Sequence, residues 1–209
     1  MASFEQLINA FTTLVVTIDP PGLAPIFLGL THGMNNQQRR ATAVRGTIIA
    51  FLILTLFAVA GEGILKTMGI SIGAFRIAGG LLLFAISFEM IFNRREARKQ
   101  KDTETAVTVD HVHNLAAFPI ALPLIAGPGA ISATILLAGS FPSTFNRVGL
   151  IAVIAFCIAL VFLSLSIASS IDRFLGNSGR AILTRLLGVL LAALSVQFVI
   201  DGLKLVMAG

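Results

Sequence analysis

Thr17–Pro25 reads T-I-D-P-P-G-L-A-P and interrupts an apolar run, with L-I-N-A-F-T-T-L-V-V before it and I-F-L-G-L after it. Two prolines, a glycine and a carboxylate occupy the middle of a segment long enough to cross a bilayer. Proline lacks an N–H and clashes with the carbonyl four residues back, so the helix breaks there. In hydrocarbon every unpaired backbone group is costly, and irregular backbone survives only where protein or a wet cavity shields it. The break therefore demands a sheltered polar surrounding at mid-membrane depth.

The rest of the chain supplies that membrane context. Of 209 residues, 56% are hydrophobic and only 12% charged, with a mean hydropathy of +0.93. A soluble domain carries roughly a quarter charged residues, which excludes that class. A spanning helix needs about 20 apolar residues, and six such stretches can be counted. They run Leu7–Leu30, Val44–Ala60, Ser71–Phe92, Leu115–Gly139, Val148–Ser169 and Leu186–Val206. All are continuously apolar rather than alternating, which excludes a membrane β-barrel. The expected fold is an all-α membrane protein of six transmembrane helices, a single membrane domain over 1–209 without a soluble domain.

The net charge of +5 is distributed as a membrane protein distributes it, not as a nucleic-acid binder does. Eleven of fifteen basic residues fall after the first span (Arg39, Arg40, Arg45), after the third (Arg94, Arg95, Arg98, Lys99, Lys101) or between the fifth and sixth (Arg173, Arg180, Arg185). Only Lys66, Arg76, Arg147 and Lys204 fall on the other side. The positive-inside rule then places both termini outside and the basic loops in the cytoplasm. M-A-S-F-E-Q lacks a positive n-region, so the first span is expected to be retained. Cys157, the single cysteine, reads as a small packing residue.

An internal repeat is the most informative pattern. P-G recurs at Pro21–Gly22 and Pro128–Gly129, near the middle of the first and fourth spans. R-I-A-G-G-L-L-L from Arg76 lies against R-L-L-G-V-L-L-A from Arg185 at nearly the same offset. Three spans per copy is an odd number, so residues 115–209 would repeat residues 1–92 upside down. Inverted repeats with helices interrupted at matching positions are the pattern of secondary transporters. Residues 93–114 between the copies are charged and aperiodic, as a cytoplasmic linker would be. His111 and His113 lie within it as H-x-H, without carboxylate or cysteine partners at ligand spacing, so no metal is expected.

Beyond each break a new half-helix starts, with unpaired N–H groups and the positive end of its dipole. Asp19 precedes Pro20 as an N-cap precedes a proline at the first helical position, and Gly127 precedes Pro128 likewise. The N–H groups of Gly129, Ala130 and Ile131 are placed to hold a carboxylate. Asp19 has no acidic counterpart in the second copy, so an ammonium group or a coupling cation (Na+ or H+) is expected on its side. The candidate binding residues are Thr17, Asp19, Pro20, Pro21, Gly22, Gly127, Pro128, Gly129, Ala130, Ile131 and Ser132. Thr13, Thr134, Glu89 and Gln197 are secondary candidates. Pro25, Pro119 and Pro123 are expected to shape the kinks and free the carbonyls of Pro21, Leu115 and Pro119. Arg76 and Arg185, at equivalent span entrances, read as interfacial anchors rather than ligands.

The motifs D-P-P-G-L-A-P-I-F (Asp19–Phe27), P-L-I-A-G-P-G-A-I-S (Pro123–Ser132) and R-I-A-G-G-L-L-L-F (Arg76–Phe84) resemble the MarC family of bacterial and archaeal inner-membrane proteins, over essentially the whole length. One member of that family is described as a transporter of small neutral amino acids such as glycine and alanine. The resemblance implies six helices in two inverted halves and a substrate site at the interrupted first and fourth helices. The function expected is a gradient-driven secondary transporter of a small zwitterion in the inner membrane. No P-loop occurs, so ATP hydrolysis is not expected. The alternatives are an exporter of drugs or other metabolites, a passive channel, and an intramembrane enzyme. The last is disfavoured because Asp19 is the only acid placed deep in a span. No cofactor is expected, and a homo-oligomer is compatible with the pattern.

Overall fold

The computed structural model describes residues 3–31, 34–92, 115–141 and 144–208. Among them helices are the only regular structure. They are α1 (Phe4–Ile18), α2 (Pro20–Leu30), α3 (Asn36–Thr67), α4 (Ile72–Ile91), α5 (Ala116–Ile125), α6 (Pro128–Ala138), α7 (Thr144–Ser166) and α8 (Ala168–Ala208). Five helical runs are long and apolar enough to span a membrane, and the bent α5–α6 pair raises the total to as many as six. The linker at 93–114, with His111, His113 and the basic cluster from Arg94 to Lys101, lies outside the described residues.

Local chemistry sets the helix ends, and these overrun the apolar windows. Ser3 and Gln6 form a reciprocal capping box that starts α1 before Leu7, and Asn35 and Gln38 do the same for α3. The second span was expected at Val44–Ala60, yet the helix continues through polar N-Q-Q-R-R at one end and to Thr67 at the other. Polar residues outside the bilayer do not stop a helix; Gly69, with φ 71°, ends that stretch. The loop expected between the fifth and sixth spans is likewise helical. α7 stops at Ser166, and α8 runs 41 residues from Ala168, far beyond Leu186–Val206.

The segments 1–92 and 115–209 interlock rather than stand side by side. α4 lies along α8 in the most extensive pairing, and α3 packs on α7, α5 and α6. α1 and α2 pack on α7, α2 on α8, α4 on α6, and α1 on α6, while neighbours in sequence such as α3 and α4 barely touch. Glycines bring α4 and α8 into backbone contact. A Cβ at Gly202 would lie 2.9 Å from the Gly73 carbonyl oxygen, and one at Gly80 would lie 2.8 Å from that of Ser195. Lipid is as apolar as leucine, so helices in it associate through such close van der Waals packing.

The broken run occupies the middle. Its apolar window is 61% buried, against 28% for α3, α4 and α8, so intact helices shelter the interrupted one. Leu14, Ile18, Leu23, Phe27 and Ile125 are fully buried around it, whereas Leu52, Leu56, Phe156 and Leu186 point outward. That outward apolar face suits hydrocarbon rather than water.

Candidate functional site between two broken helices

At the first break α1 ends and α2 begins on a single residue. Asp19 adopts a left-handed conformation, φ 60° and ψ 67°, and is only 2% exposed. Among ordinary residues Asp and Asn tolerate that region best. Its N–H donates to the Val15 carbonyl at 2.9 Å, closing α1. Its carboxylate Oδ1 accepts from the Gly22 N–H at 3.2 Å, opening α2. Pro20 and Pro21 have no N–H, and Leu23 donates to the Asp19 carbonyl at 3.2 Å. Every donor in the first turn of α2 is therefore satisfied within the break. Gly22 is required for closeness: a Cβ there would collide with the Asp19 carboxylate.

The second break is sharper, with α5 and α6 bent by 60°. Phe118 and Leu122, each preceding a proline, have extended dihedrals inside α5 (φ −139° and −124°), as the steric demand of a following proline requires. The Leu115 carbonyl, expected to be freed by Pro119, is instead re-paired. It accepts from Ile120 at 3.2 Å, one residue further on, and Ala121 accepts from Ala126 at 2.8 Å in the same wide-turn pattern.

Gly127 caps α6 with φ −74° and ψ 171°, Pro128 follows at the first helical position, and no side chain caps the helix. A side chain at position 127 is sterically barred, since its Cβ would sit 2.5 Å from the Pro123 carbonyl oxygen. The Ile131 N–H, expected to face a ligand, instead donates to the Gly127 carbonyl at 3.0 Å. It belongs to the first regular helical bond, which leaves Gly129 and Ala130 as the donors of the open first turn.

The two breaks meet. A Cβ on Gly129 would lie 3.3 Å from Thr17 Cγ2 and would collide with Ile86 Cδ1 of α4. Thr13 (0% exposed), Thr17, Asp19, Pro20, Gly22, Gly129, Ala130 and Thr134 are buried, Pro21, Gly127, Ile131 and Ser132 are half-buried, and Pro128 lies at the surface. Thr17 donates to the Thr13 carbonyl at 2.6 Å and Thr134 to that of Ala130 at 2.7 Å. Of the secondary candidates, Glu89 is half-buried on α4, one helical turn beyond Ile86. Gln197 is exposed on α8 and donates to Asp201 at 2.8 Å. Among the described residues, no three His, Cys, Asp or Glu side chains converge as metal ligands would.

Contacts that nothing in the sequence announces tie the helix ends together. Arg147 of α7 pairs with Glu62 of α3 and donates to the Val59 carbonyl at 3.1 Å. Gln6 of α1 donates to the Ser140 carbonyl, just past α6, at 3.1 Å. Partners so far apart in the chain leave no local signal.

A helical bundle built around one closed and one open break defines a polytopic integral membrane protein. The chain belongs to the MarC family: the model described as "MarC family integral membrane protein" matches residues 4–207. It is similar to a protein from Archaeoglobus fulgidus described as a UPF0056 membrane protein, 43% identical over 196 residues, covering 93% of this chain and 90% of that one. A UPF0056 membrane protein from Aquifex aeolicus is 34% identical over 94% of this chain and 92% of its own length. The Escherichia coli UPF0056 membrane protein YhcE is 33% identical over 99% and 95%. No solved structure matches the chain.

Proposed function

We propose that this protein is a secondary transporter of small neutral amino acids such as glycine or alanine, working by alternating access around the paired breaks. The observation that carries the reading is their chemical asymmetry. The α6 start offers two backbone donors without a side-chain cap, suited to a carboxylate. Two residues beyond Thr17, which meets that start, the α1 break holds a buried aspartate, suited to an ammonium group or a coupling Na+ or H+. A zwitterion matches both ends at once. The crowding of Gly129 by Thr17 and Ile86 favours a compact ligand and disfavours a drug exporter.

The helix pairings support reading residues 1–92 and 115–209 as inverted copies. Exchanging the halves converts α1/α2 on α7 into α5/α6 on α3, and α2 on α8 into α6 on α4. Such a pseudo-two-fold puts the substrate at the repeat interface and lets one half rock against the other. In this reading the two termini face outward, the basic loops lie in the cytoplasm, and the chain carries out transport rather than catalysis.

The decisive experiment is uptake of labelled glycine and alanine into proteoliposomes under imposed proton or sodium gradients. Gradient-dependent flux, competed by unlabelled alanine, is expected. Purified protein that moves neither amino acid under either gradient would sink the reading.

A further inference from the structure

At the end of the bundle where α1 begins and α6 finishes, side chains tie residues 1–92 to residues 115–209. Gln6 of α1 donates to the Ser140 carbonyl at 3.1 Å. Arg147 of α7 pairs with Glu62 of α3 and donates to the Val59 carbonyl at 3.1 Å. The α1–α6 seam beneath these ties is sealed: Ala10, Thr13 and Leu14 on one side and Ala133, Thr134 and Ala138 on the other are fully buried. Exchanging the two copies converts α1 on α6 into α5 on α2, and that pairing is slight. One seam is therefore closely packed and tied, while its counterpart barely touches.

Glu62 stands between two arginines at the tied end. Its Oε2 accepts from Arg147. Its Oε1 borders Gly139, where a Cβ would lie 3.7 Å from it and 3.6 Å from Arg76 Nη2 of α4. With no side chain, Gly139 leaves the gap between those two groups unfilled. Arg76 pairs with no carboxylate among the described residues, and its Nε is buried without a hydrogen-bond partner. Parting a partly buried carboxylate from its cation is costly unless a second cation takes it. Glu62 and Arg76 lie in residues 1–92 and Arg147 in residues 115–209. Movement of one half against the other therefore draws Glu62 away from Arg147 and keeps Arg76 at hand.

We infer that Glu62 is the latch of a gate at this end: its carboxylate holds Arg147 while the α1–α6 seam is closed and passes to Arg76 when the seam opens. The inference rests on the alternating-access reading above and deepens it by naming what shuts one entrance to the paired breaks. Each state keeps the carboxylate paired, so the two differ little in energy and a modest bias moves the equilibrium between them. A fixed structural pair would need Arg147 alone. The unpaired Arg76 beside the same carboxylate is what distinguishes a latch from a brace.

The test is the rate of maleimide labelling of a cysteine placed in the seam, measured on the full-length protein in proteoliposomes without ligand. Ala10→Cys in a Cys157→Ala background reports opening, because Ala10 is fully buried while the seam is closed. Arg147→Gln removes the partner of the closed state and is expected to raise the rate by up to about five-fold, the scale of one partly exposed ion pair. Arg76→Gln removes the partner of the open state and is expected to lower it by a similar factor. Both effects should disappear when Glu62 is already replaced by Gln. The sign of the Arg76→Gln effect decides even if Arg147→Gln fails to fold. Unchanged or faster labelling in Arg76→Gln, effects that persist beside Glu62→Gln, or a reporter that stays unlabelled in every folded variant overturns the latch. Glycine and alanine flux is measured on the same vesicles. Flux without the opposite-signed pattern overturns the latch alone, whereas the pattern without flux supports the latch and overturns transport of these amino acids.

Discussion

The two breaks begin with the same proline–glycine chemistry and end in opposite states. At the first, Pro20 and Pro21 remove two donors, the Asp19 carboxylate takes the third at Gly22, and nothing is left open. At the second, a single proline leaves Gly129 and Ala130 as donors, and the Pro123 carbonyl forbids any capping side chain at position 127. One break is closed by its own carboxylate. The other is kept open by steric exclusion of a cap, inside protein rather than lipid. The difference teaches that a broken membrane helix keeps open donors when its surroundings bar the side chain that would cap it.

The comparison can be broken most severely at Gly129. Gly129→Leu places side-chain atoms where Ile86 and Thr17 already sit, so amino-acid-induced thermal stabilisation should vanish. Retained stabilisation would mean the ligand binds elsewhere. Asp19→Ala comes next. A left-handed alanine costs roughly 1–2 kcal/mol and a lost N-cap about 1 more, so unfolding should be easier by about 2–3 kcal/mol. Asp19→Asn tolerates the same dihedrals and keeps the cap, so near-wild-type stability with loss of gradient-driven flux is expected in proteoliposomes. If Asp19→Asn transported normally, the charge would have no part in coupling.

Gly127→Ser sharpens the contrast from the other side. Serine is a favoured N-cap, yet here overcrowding against Pro123 should make it destabilising by about 1–3 kcal/mol. A more stable Gly127→Ser protein would show that the open break can be capped after all. The smallest effect is expected at Glu62→Gln, which breaks the partly exposed pair with Arg147. Such pairs contribute at most about 1 kcal/mol, and the loss should shrink further in high salt.

Legibility followed the range of the interactions. Asp19 before Pro20 and Gly127 before Pro128 were readable as helix starts because capping is decided within four residues. Ser71–Phe92 was placed within a residue of α4, since Ser71 caps it and the helix ends at Ile91, one residue before the expected Phe92. The polar start of α3 and the first half of α8 were misplaced because hydropathy detects burial in lipid, while a helix persists outside it. Ile131 was assigned to the ligand, although position four of any helix already bonds back to its cap. Leu115 was expected to be orphaned, and a widened turn re-paired it through Ile120.

From its own residues the chain determined that it is a multi-pass helical membrane protein, that two of its helices must break, and where each new half-helix begins. Those are consequences of proline stereochemistry and apolar length, local properties that any fold must obey. Tertiary structure alone decided that Thr17 would meet Gly129, that Ile86 would wall the gap, and that Arg147 would reach Glu62. Such contacts depend on how the two halves interlock. Glycine-mediated backbone approach between distant helices sets that, and no short stretch of sequence encodes it.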